Sequence, residues 1–393
     1  MIRLFINGIA ASAGGGVTYL RNVIPHLARR ADCHTTVLLN PEIRGEFGPL
    51  PNVSFVELSG TLGGVFRRFV QEQTGLPKLI RQSRAQVLIS TGNFALWNSP
   101  VPQILLSRNS LYTSADFLRD VRARGDYEIW GDSLLKGWLA KRSIHRANIT
   151  VAPSEAFADE LRHWTGKNVL ALHHGFDAEA FTADTTPLPA KAKEQLNLAG
   201  GSLRLLFVSH YNYYRNFETL FRAIAILSSR LNKKVKVFLT CQLKSSENPG
   251  TYRAESAALL AEHFRGTQNI VELGTIPYRS LHYLYRACHI YVTPAYAESF
   301  AHPLIEAMSS GLPVVASDLP VHREICGDAG IYFSRFSADA LAERVLQIQE
   351  SPELAERLSH IGVRRARDFS WSEHVGCLVG LAEKLVWFES ERN

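Results

Sequence analysis

Two glutamates eight residues apart, Glu298 and Glu306, stand out as candidate binding residues of the 393-residue sequence. Glu298 lies in a predicted loop after a strand that ends near Thr293, and Glu306 lies about one turn into the next predicted helix, where Pro303 takes a first helical position. Backbone N–H groups at a helix start form an anion site that suits a diphosphate, and the flanking carboxylates can accept hydrogen bonds from sugar hydroxyls. Glutamates are also common early in helices because they complement the dipole, so the spacing alone leaves a structural role open.

The elements that must position these residues form two series of alternating strands and helices. In the first series, strands are predicted at 2–6, 35–39, 53–58, 87–90, 103–106 and 149–152, with a helix at 17–30. In the second, strands are predicted at 203–208, 235–240, 270–273, 290–293 and 313–317, with helices at 217–231, 252–264, 281–288 and 303–310. This alternation predicts an α/β protein of two Rossmann-like doubly wound domains facing a cleft that holds the ligand. Residues 178–202 have the composition of a linker between the domains.

Composition narrows the class of protein. No stretch approaches the ~20 apolar residues of a membrane span, and the apolar start is too short for a signal peptide, so we expect a cytoplasmic protein. The five cysteines form no Cys-x-x-Cys, which disfavours disulfide scaffolds and thiolate zinc sites. No cofactor or metal is expected.

The positive charge is concentrated in one region. Residues 61–146 hold 13 Lys and Arg against 6 Asp and Glu. A basic face can bind phosphates, anionic lipid headgroups or nucleic acid, but no nucleic-acid motif accompanies it. The basic, amphipathic stretch 133–142 is compatible with peripheral membrane contact, although a helix packed on the first sheet is the favoured interpretation.

Around the two glutamates, the sequence resembles a known family. The Glu298-x7-Glu306 block and the segment that follows it, through Ser317, resemble the signature of the family 4 (GT-B fold) retaining glycosyltransferases, the glycosyl transferases of group 1. The supporting motifs lie at 14–16, 152–155, 174–177, 273–275, 329–333 and 369–371. The resemblance implies an N-terminal acceptor-side domain at 1–178, a nucleotide-sugar-binding domain at 179–372, and a C-terminal helix at 373–393 that packs back on the first domain.

The resemblance also implies roles for individual residues. Glu298 would be the catalytic residue, positioning the transferred sugar through its hydroxyls, and Glu306 would bind the nucleotide ribose. The diphosphate and sugar would be held by backbone groups of the intervening loop: Ser299, Phe300, Ala301, His302 and Leu304. Gly15 and Gly16 would approach the diphosphate from the N-terminal domain, where the lack of side chains permits close contact.

Four positions depart from the family pattern. Arg215 replaces a usual lysine and keeps a charge able to bind phosphate bidentately, whereas His210 replaces a usual arginine and makes a weaker or pH-dependent contact. Ala301 stands where glycine is usual, which would crowd the donor sugar slightly. Arg108 or Asn109 stands near the place of a usual N-domain histidine, and whether either contacts substrate or is structural stays open.

The function implied is metal-independent transfer of a sugar, mannose among the candidates, from a nucleotide-sugar donor to a glycan or lipid-linked acceptor. The expected setting is bacterial surface polysaccharide (O-antigen, capsule or exopolysaccharide) biosynthesis, at the inner face of the cytoplasmic membrane if contact is made. No Asp-x-Asp metal clamp occurs.

A GT-B-like epimerase or phosphorylase and a non-catalytic polyanion-binding protein are the alternatives. A dinucleotide oxidoreductase is disfavoured because Tyr19 interrupts the Gly-x-Gly-x-x-Gly pattern. The base, sugar, acceptor and oligomeric state are left undetermined.

Overall fold

The computed structural model describes residues 1–11, 15–58, 65–243, 262 and 269–392, and the chain divides into two compact units. The first unit comprises Met1–Thr113, Gly131–Gly175 and Ser370–Asn393. The second comprises Ser114–Trp130 and Phe176–Phe369. Residues 114–130 therefore fold with the second unit, although they fall within the range 1–178 predicted for the first domain. The predicted helix at 252–264 and Gly14 lie outside the described residues, apart from position 262.

The first unit is built on a parallel sheet of seven strands: β1 (Ile2–Gly8), β2 (Cys33–Leu39), β3 (Val53–Val56), β4 (Val87–Ser90), β5 (Gln103–Leu106), β6 (Ile149–Ala152) and β7 (Leu170–Ala171). The strand order is β3-β2-β1-β4-β5-β6-β7, and every pair is parallel. Three predicted strands, β4, β5 and β6, have the predicted bounds. β7 was not predicted, because its two residues are too few for a recognisable apolar run.

Helices connect the strands, and in three places two or three helices follow one another without a strand between them. They are α1 (Gly15–Ala28), α2 (Pro41–Arg44), α3 (Val65–Gln82), α4 (Ala115–Ala123), α5 (Tyr127–Arg146), α6 (Glu155–Thr165), α7 (Ala178–Ala183), α8 (Ala190–Leu198), α9 (Phe217–Arg230), α10 (Tyr278–Ala287), α11 (His302–Ser309), α12 (Pro320–Cys326), α13 (Ala338–Glu350), α14 (Pro352–Ala366) and α15 (Trp371–Arg392). None of these described helices is long and apolar enough to cross a membrane.

The last helix belongs to the core of the first unit. Leu378 and Val379 of α15 are fully buried in one apolar cluster with Leu20 and Ile24 of α1 and with strand residues of the sheet. The apolar side chains of α1 recur at helical spacing, which gives it the buried face against which α15 packs.

The second unit has a parallel sheet of six strands: β8 (Leu203–Phe207), β9 (Val235–Leu239), β10 (Ile270–Glu272), β11 (Ile290–Thr293), β12 (Val314–Ser317) and β13 (Gly330–Phe333). Their order is β10-β9-β8-β11-β12-β13, and all pairs are parallel. All five residues of β9 are buried, as expected for a strand covered on both faces.

The predicted linker at 178–202 is wrong for most of its length, because α7 and α8 occupy it. Asp177 caps α7 by accepting a hydrogen bond from the backbone N–H of Ala180 at 2.9 Å. Phe181 of α7 is buried, and its ring centroid lies 5.3 Å from that of Phe176. Local composition favoured a linker, but burial of a few apolar side chains stabilises two short helices there.

Candidate functional site

The order of the second sheet reverses between β8 and β11, which are neighbours although β9 and β10 lie between them in the sequence. In open parallel sheets, ligands bind outside the carboxyl ends of the strands at such a switch point. The loop after β8 carries His210 and Arg215, and the loop after β11 carries Glu298. Asn216, held at a φ of 55°, ties the two loops together by donating from Nδ2 to the carbonyl oxygen of Pro294 at 3.1 Å.

Arg215 and Glu298 form an ion pair, with 2.5 Å between Nη1 and Oε2. Their side chains are only 15% and 12% exposed, so the pair is poorly screened by solvent. Burial by itself would raise the pKa of Glu298, but the charge of Arg215 and the N–H of Ser299, which donates to Oε1 at 3.2 Å, hold it below its ordinary value. Burial opposes the charge of Arg215, yet Glu298 raises the pKa of its guanidinium. Both groups are therefore charged at neutral pH.

The guanidinium of Arg215 has capacity for a second acceptor. Its Nε is buried, and within the described part of the chain no acceptor lies within hydrogen-bond distance of that atom. The ring of Tyr214 lies against the guanidinium, with 4.8 Å between the ring centroid and Cζ of Arg215. A buried donor without an acceptor costs free energy, and an anion with oxygen atoms would remove that cost.

Two histidines lie near the pair, and both are neutral at pH 7. Desolvation and the neighbouring charge of Arg215 lower the pKa of His210 to about 4, against an opposing effect of Glu298. His322 was not predicted from the sequence. It is fully buried, its Nδ1 lies 2.9 Å from the carbonyl oxygen of Ser317, and burial lowers its pKa to about 4. A single histidine early in a short helix carries no recognisable spacing signal, which is why only the folded structure reveals it.

The loop between Glu298 and α11 bends sharply at Ala301, which has a φ of 65°. This left-handed conformation is unfavourable for any residue with a Cβ. It therefore gives a backbone reason for the glycine that the resembling family usually has at this position, in addition to the predicted crowding of the donor sugar. α11 begins at His302, one residue before the predicted start. The backbone N–H of Leu304 donates to the carbonyl oxygen of Ala301 at 3.0 Å, and Pro303 has no N–H. Backbone hydrogen bonds to a ligand from this loop would therefore have to come from Ser299, Phe300, Ala301 or His302.

Glu306 is buried in α11, with 6% of its surface exposed. The hydroxyl group of Tyr285 on α10 donates to its Oε2 at 2.8 Å. Burial raises the pKa of Glu306 to about 7, although the Tyr285 bond opposes that rise. The carboxyl group thus changes charge near neutral pH, which distinguishes it from the permanently ionised Glu298.

In the first unit, Gly15 and Gly16 are the first residues of α1, and Arg108 contacts Gly15. Arg108 donates from Nη2 to the carbonyl oxygen of Thr91 at 2.5 Å and from Nη1 to that of Gly15 at 3.5 Å. A Cβ added at Gly16 would lie 3.3 Å from Cβ of Ala11, whereas one added at Gly15 would contact no described atom within 4 Å. No described residue therefore requires position 15 to lack a side chain.

Asn109 has a local structural role. Its side-chain oxygen accepts from the N–H of Leu111 at 3.0 Å and caps the short 3₁₀ turn Ser110–Tyr112. Of the two residues left open at this position, Arg108 is the one that contacts the predicted glycine loop. The structure thus gathers the predicted site residues into two groups, one in each unit: Gly15 and Gly16 in the first, and the remaining residues in the second.

Two family comparisons cover most of the chain. The family described as Glycosyltransferase Family 4 matches residues 13–180, and the family described as Glycosyl transferases group 1 matches residues 190–365. The two matches follow one another along the chain, and the second contains every predicted site residue of the second unit.

Curated relatives match over part of their length. O-antigen chain mannosyltransferase B of Escherichia coli is 38% identical over 109 residues, covering 27% of this chain and 29% of that protein. D-inositol 3-phosphate glycosyltransferase of Corynebacterium aurimucosum is 27% identical over 233 residues, covering 57% of this chain and 53% of that protein. The chain therefore spans about half or less of the length of these relatives.

Solved structures match over nearly the whole chain. Sucrose-phosphate synthase from Thermosynechococcus elongatus superposes with a TM-score of 0.75 at 18% identity, covering 98% of this chain and 99% of that one. Anabaena HepE in complex with UDP and glucose gives a TM-score of 0.71 at 15% identity, with coverage of 98% and 100%. At these identities the likeness establishes the fold, two parallel α/β sheets of GT-B type.

Proposed function

The chain belongs to the family 4 glycosyltransferases, and we propose that it transfers a sugar from a nucleoside diphosphate sugar to an acceptor hydroxyl group with retention of anomeric configuration. The observation that carries the proposal is the buried Arg215–Glu298 pair at the switch point of the second sheet. One side of this pair is a cation with a buried Nε available to an anion, and the other is an ionised carboxylate. A diphosphate joined to a sugar presents the complementary groups.

In the proposed reaction, Arg215 and the start of α11 stabilise the negative charge that develops on the departing diphosphate. Such fixed charges and dipoles are effective because they need no reorganisation when the bond breaks. Glu298 accepts hydrogen bonds from hydroxyl groups of the transferred sugar and orients it. The acceptor hydroxyl is the nucleophile. Arg215 takes the place of a divalent ion, so activity should persist in excess EDTA.

Glu306 is proposed to bind the ribose. Because the bond from Tyr285 is made to Oε2, Oε1 is the atom that we propose accepts from a ribose hydroxyl group. Because the pKa of Glu306 is about 7, the ionised, better-accepting form increases as the pH rises through neutrality. We therefore expect nucleotide affinity to increase from pH 6 to pH 8.

For the donor and pathway, we propose mannosyl transfer in the cytoplasmic assembly of a bacterial surface polysaccharide, onto a glycan or lipid-linked acceptor. The supporting observation is the relative named O-antigen chain mannosyltransferase B, which aligns with about a quarter of this chain. HepE, which shares the fold, is known in complex with UDP and glucose, so UDP-sugars are the competing donors to test.

Peripheral contact with an anionic membrane surface is proposed for α5. Leu134, Leu135 and Trp138 are 43%, 50% and 55% exposed on this helix, which also carries Lys136 and Lys141. Apolar side chains beside lysines suit the interface of an anionic bilayer. Flotation with anionic vesicles should recover the protein at low salt, and Trp138→Ser should reduce recovery. Absence of the wild type from the vesicle fraction at both low and high salt would refute this contact.

Thermal melting with GDP, UDP and dTDP tests the central proposal. A nucleotide at a hundredfold excess over its Kd should stabilise the native protein by about 2.7 kcal/mol. Arg215→Met should abolish the shift relative to its own ligand-free form, whereas Arg222→Met, at an exposed arginine of α9, should retain it. No shift with any nucleotide, in wild-type protein shown to be folded, would refute the transferase proposal.

Transfer itself is tested with GDP-mannose and UDP-glucose. Release of the nucleoside diphosphate should require an acceptor, and proton NMR of the product's anomeric centre should show the donor's configuration. An inverted product would refute retention, and conversion of the donor to a different sugar nucleotide without transfer would favour the epimerase alternative.

A further inference from the structure

Residues 114–130 lie within the N-terminal part of the sequence but pack on the second unit. They comprise α4 and the first residues of α5. Their contacts concentrate on the two loops that carry Arg215 and Glu298, which gives this segment a direct connection to the proposed donor site.

The first contact reaches the loop after β8. The hydroxyl group of Tyr213 donates to a carboxylate oxygen of Asp126 in a short hydrogen bond. Both residues are buried, at 1% and 5% exposure. Tyr213 opens the 3₁₀ turn Tyr213–Arg215, so Asp126 fixes the start of the turn that ends at Arg215.

The second contact reaches the loop after β11. The hydroxyl group of Tyr296 donates to Oδ2 of Asp120 on α4 at 2.6 Å. Tyr296 is 3% exposed and lies two residues before Glu298. Its backbone N–H donates to the carbonyl oxygen of Tyr214 at 2.9 Å, so the two loops are also joined to each other.

A third set of contacts supports these tyrosines from the side of α4. Phe117 is fully buried, and its ring meets the edge of Tyr214 at 6.4 Å, beneath the guanidinium of Arg215. Arg124 lies 4.3 Å over the ring of Tyr213 and pairs with Asp120 at 2.9 Å. One segment therefore holds residues on both sides of the ion pair.

We propose that residues 114–130 position the Arg215–Glu298 pair, with Asp120 and Asp126 as positioning residues that act through Tyr296 and Tyr213. This inference rests on the proposed function of the pair in donor binding. Displacing a binding group by about 1 Å costs much of its contribution, so a pair carried on two loops needs such support.

Four conservative variants test the assignment: Asp120→Asn, Tyr296→Phe, Asp126→Asn and Tyr213→Phe. We measure the Kd of GDP and UDP by calorimetry, well below each melting temperature, using whichever nucleotide the wild type binds. Each variant should weaken binding about tenfold, because it removes or weakens the charge-assisted hydrogen bond that orients a loop, and Asp120→Asn also loses the ion pair with Arg124. The double variant Asp120→Asn/Tyr296→Phe should bind no more weakly than the weaker of its two single variants, since both remove the same bond.

Asp116→Asn is the matched control. Asp116 lies on the same segment, but its carboxylate pairs with Arg119 and Arg335, which are 75% and 40% exposed. The Kd of the Asp116→Asn variant for the nucleotide should stay within about twofold of the wild-type value. Unchanged Kd values in the four test variants, even with lower melting temperatures, would overturn the proposal by showing a purely structural role.

A crystal structure of Asp120→Asn/Asp126→Asn supplies a readout that needs no ligand. The side chains of Arg215 and Glu298 should separate or shift relative to β8 and β11, and a pair that superposes on that of the wild type would overturn the proposal. If the folded wild type binds no nucleotide, the proposed function fails, whereas this structural result still decides whether the segment positions the pair.

Discussion

Replacing Glu306 by glutamine should stabilise the protein, and more so at high pH. In the folded state, the pKa of this carboxyl group is raised from 4.5 to about 7, which corresponds to about 3 kcal/mol between its two protonation states. Because the folded state binds the proton more tightly than the unfolded state, stability falls as the pH rises from 4.5 through 7. Above pH 8 the full cost of an ionised, buried carboxylate is present, and glutamine does not incur it.

The expected gain follows from this cost and from the bond that glutamine retains. Its carbonyl oxygen can still accept from Tyr285, but a neutral acceptor is weaker by about 1 kcal/mol. The net stabilisation of the second unit at pH 8.5 is thus about 2 kcal/mol, or about 4–8 °C in its melting temperature. At pH 5 the wild-type carboxyl group is protonated, and the difference should nearly vanish.

Differential scanning calorimetry at pH 5, 7 and 8.5 measures the effect without ligand. Glu194→Gln, at an exposed glutamate of α8 in the same unit, is the control and should show no such dependence on pH. A difference between Glu306→Gln and wild type that is the same at all three pH values would refute the assignment of a raised pKa. If Glu306 binds the ribose as proposed, nucleotide affinity should fall in the same variant, since that contact loses a charged acceptor.

Local geometry leads to three further predictions. Ala301→Gly should raise the free energy of unfolding by about 1 kcal/mol in urea melts, because glycine adopts a φ of 65° without the Cβ penalty. Gly175→Ala should destabilise the first unit by more than about 3 kcal/mol, since its Cβ would lie 2.0 Å from the backbone nitrogen of Trp371, whereas Gly15→Ala should leave the melting temperature unchanged. The ring protons of His322 should show no NMR titration between pH 5.5 and 8, because burial lowers its pKa to about 4; a midpoint near 6.5 would contradict this.

The strands were predictable because buried parallel strands are short, nearly continuous apolar runs. Gln103–Leu106 and Ile290–Thr293 have the bounds expected from the sequence alone. The helices at 178–183 and 190–198 were missed because their apolar residues are few and Thr, Asp and Pro dominate between them. Their stability comes from tertiary burial, which local composition does not record.

The candidate site was predictable only in part, and for a different reason. The resemblance identified Glu298, Glu306 and Arg215 as residues, but their pairing, the available Nε and the raised pKa of Glu306 depend on distances and burial. Asp120 and Asp126 lie at ordinary helical positions with no distinctive spacing. Nothing local marks them as partners of tyrosines more than 80 residues away in the sequence.

The charges of the second unit are compatible with the anionic ligand proposed for a site that contains two acidic residues. Glu298 is neutralised by Arg215 at 2.5 Å, and the Glu306 carboxyl group, with its pKa of about 7, is partly protonated at neutral pH. Since His210 is neutral there, these groups together contribute little net charge before a ligand arrives. In the proposed complex, a diphosphate would bond to Nε of Arg215 while Nη1 remains with Glu298, a division that the compact ammonium group of a lysine would not reproduce. If the proposed roles hold, the arginine at this position would let one cation hold the carboxylate of Glu298 and the leaving group at once.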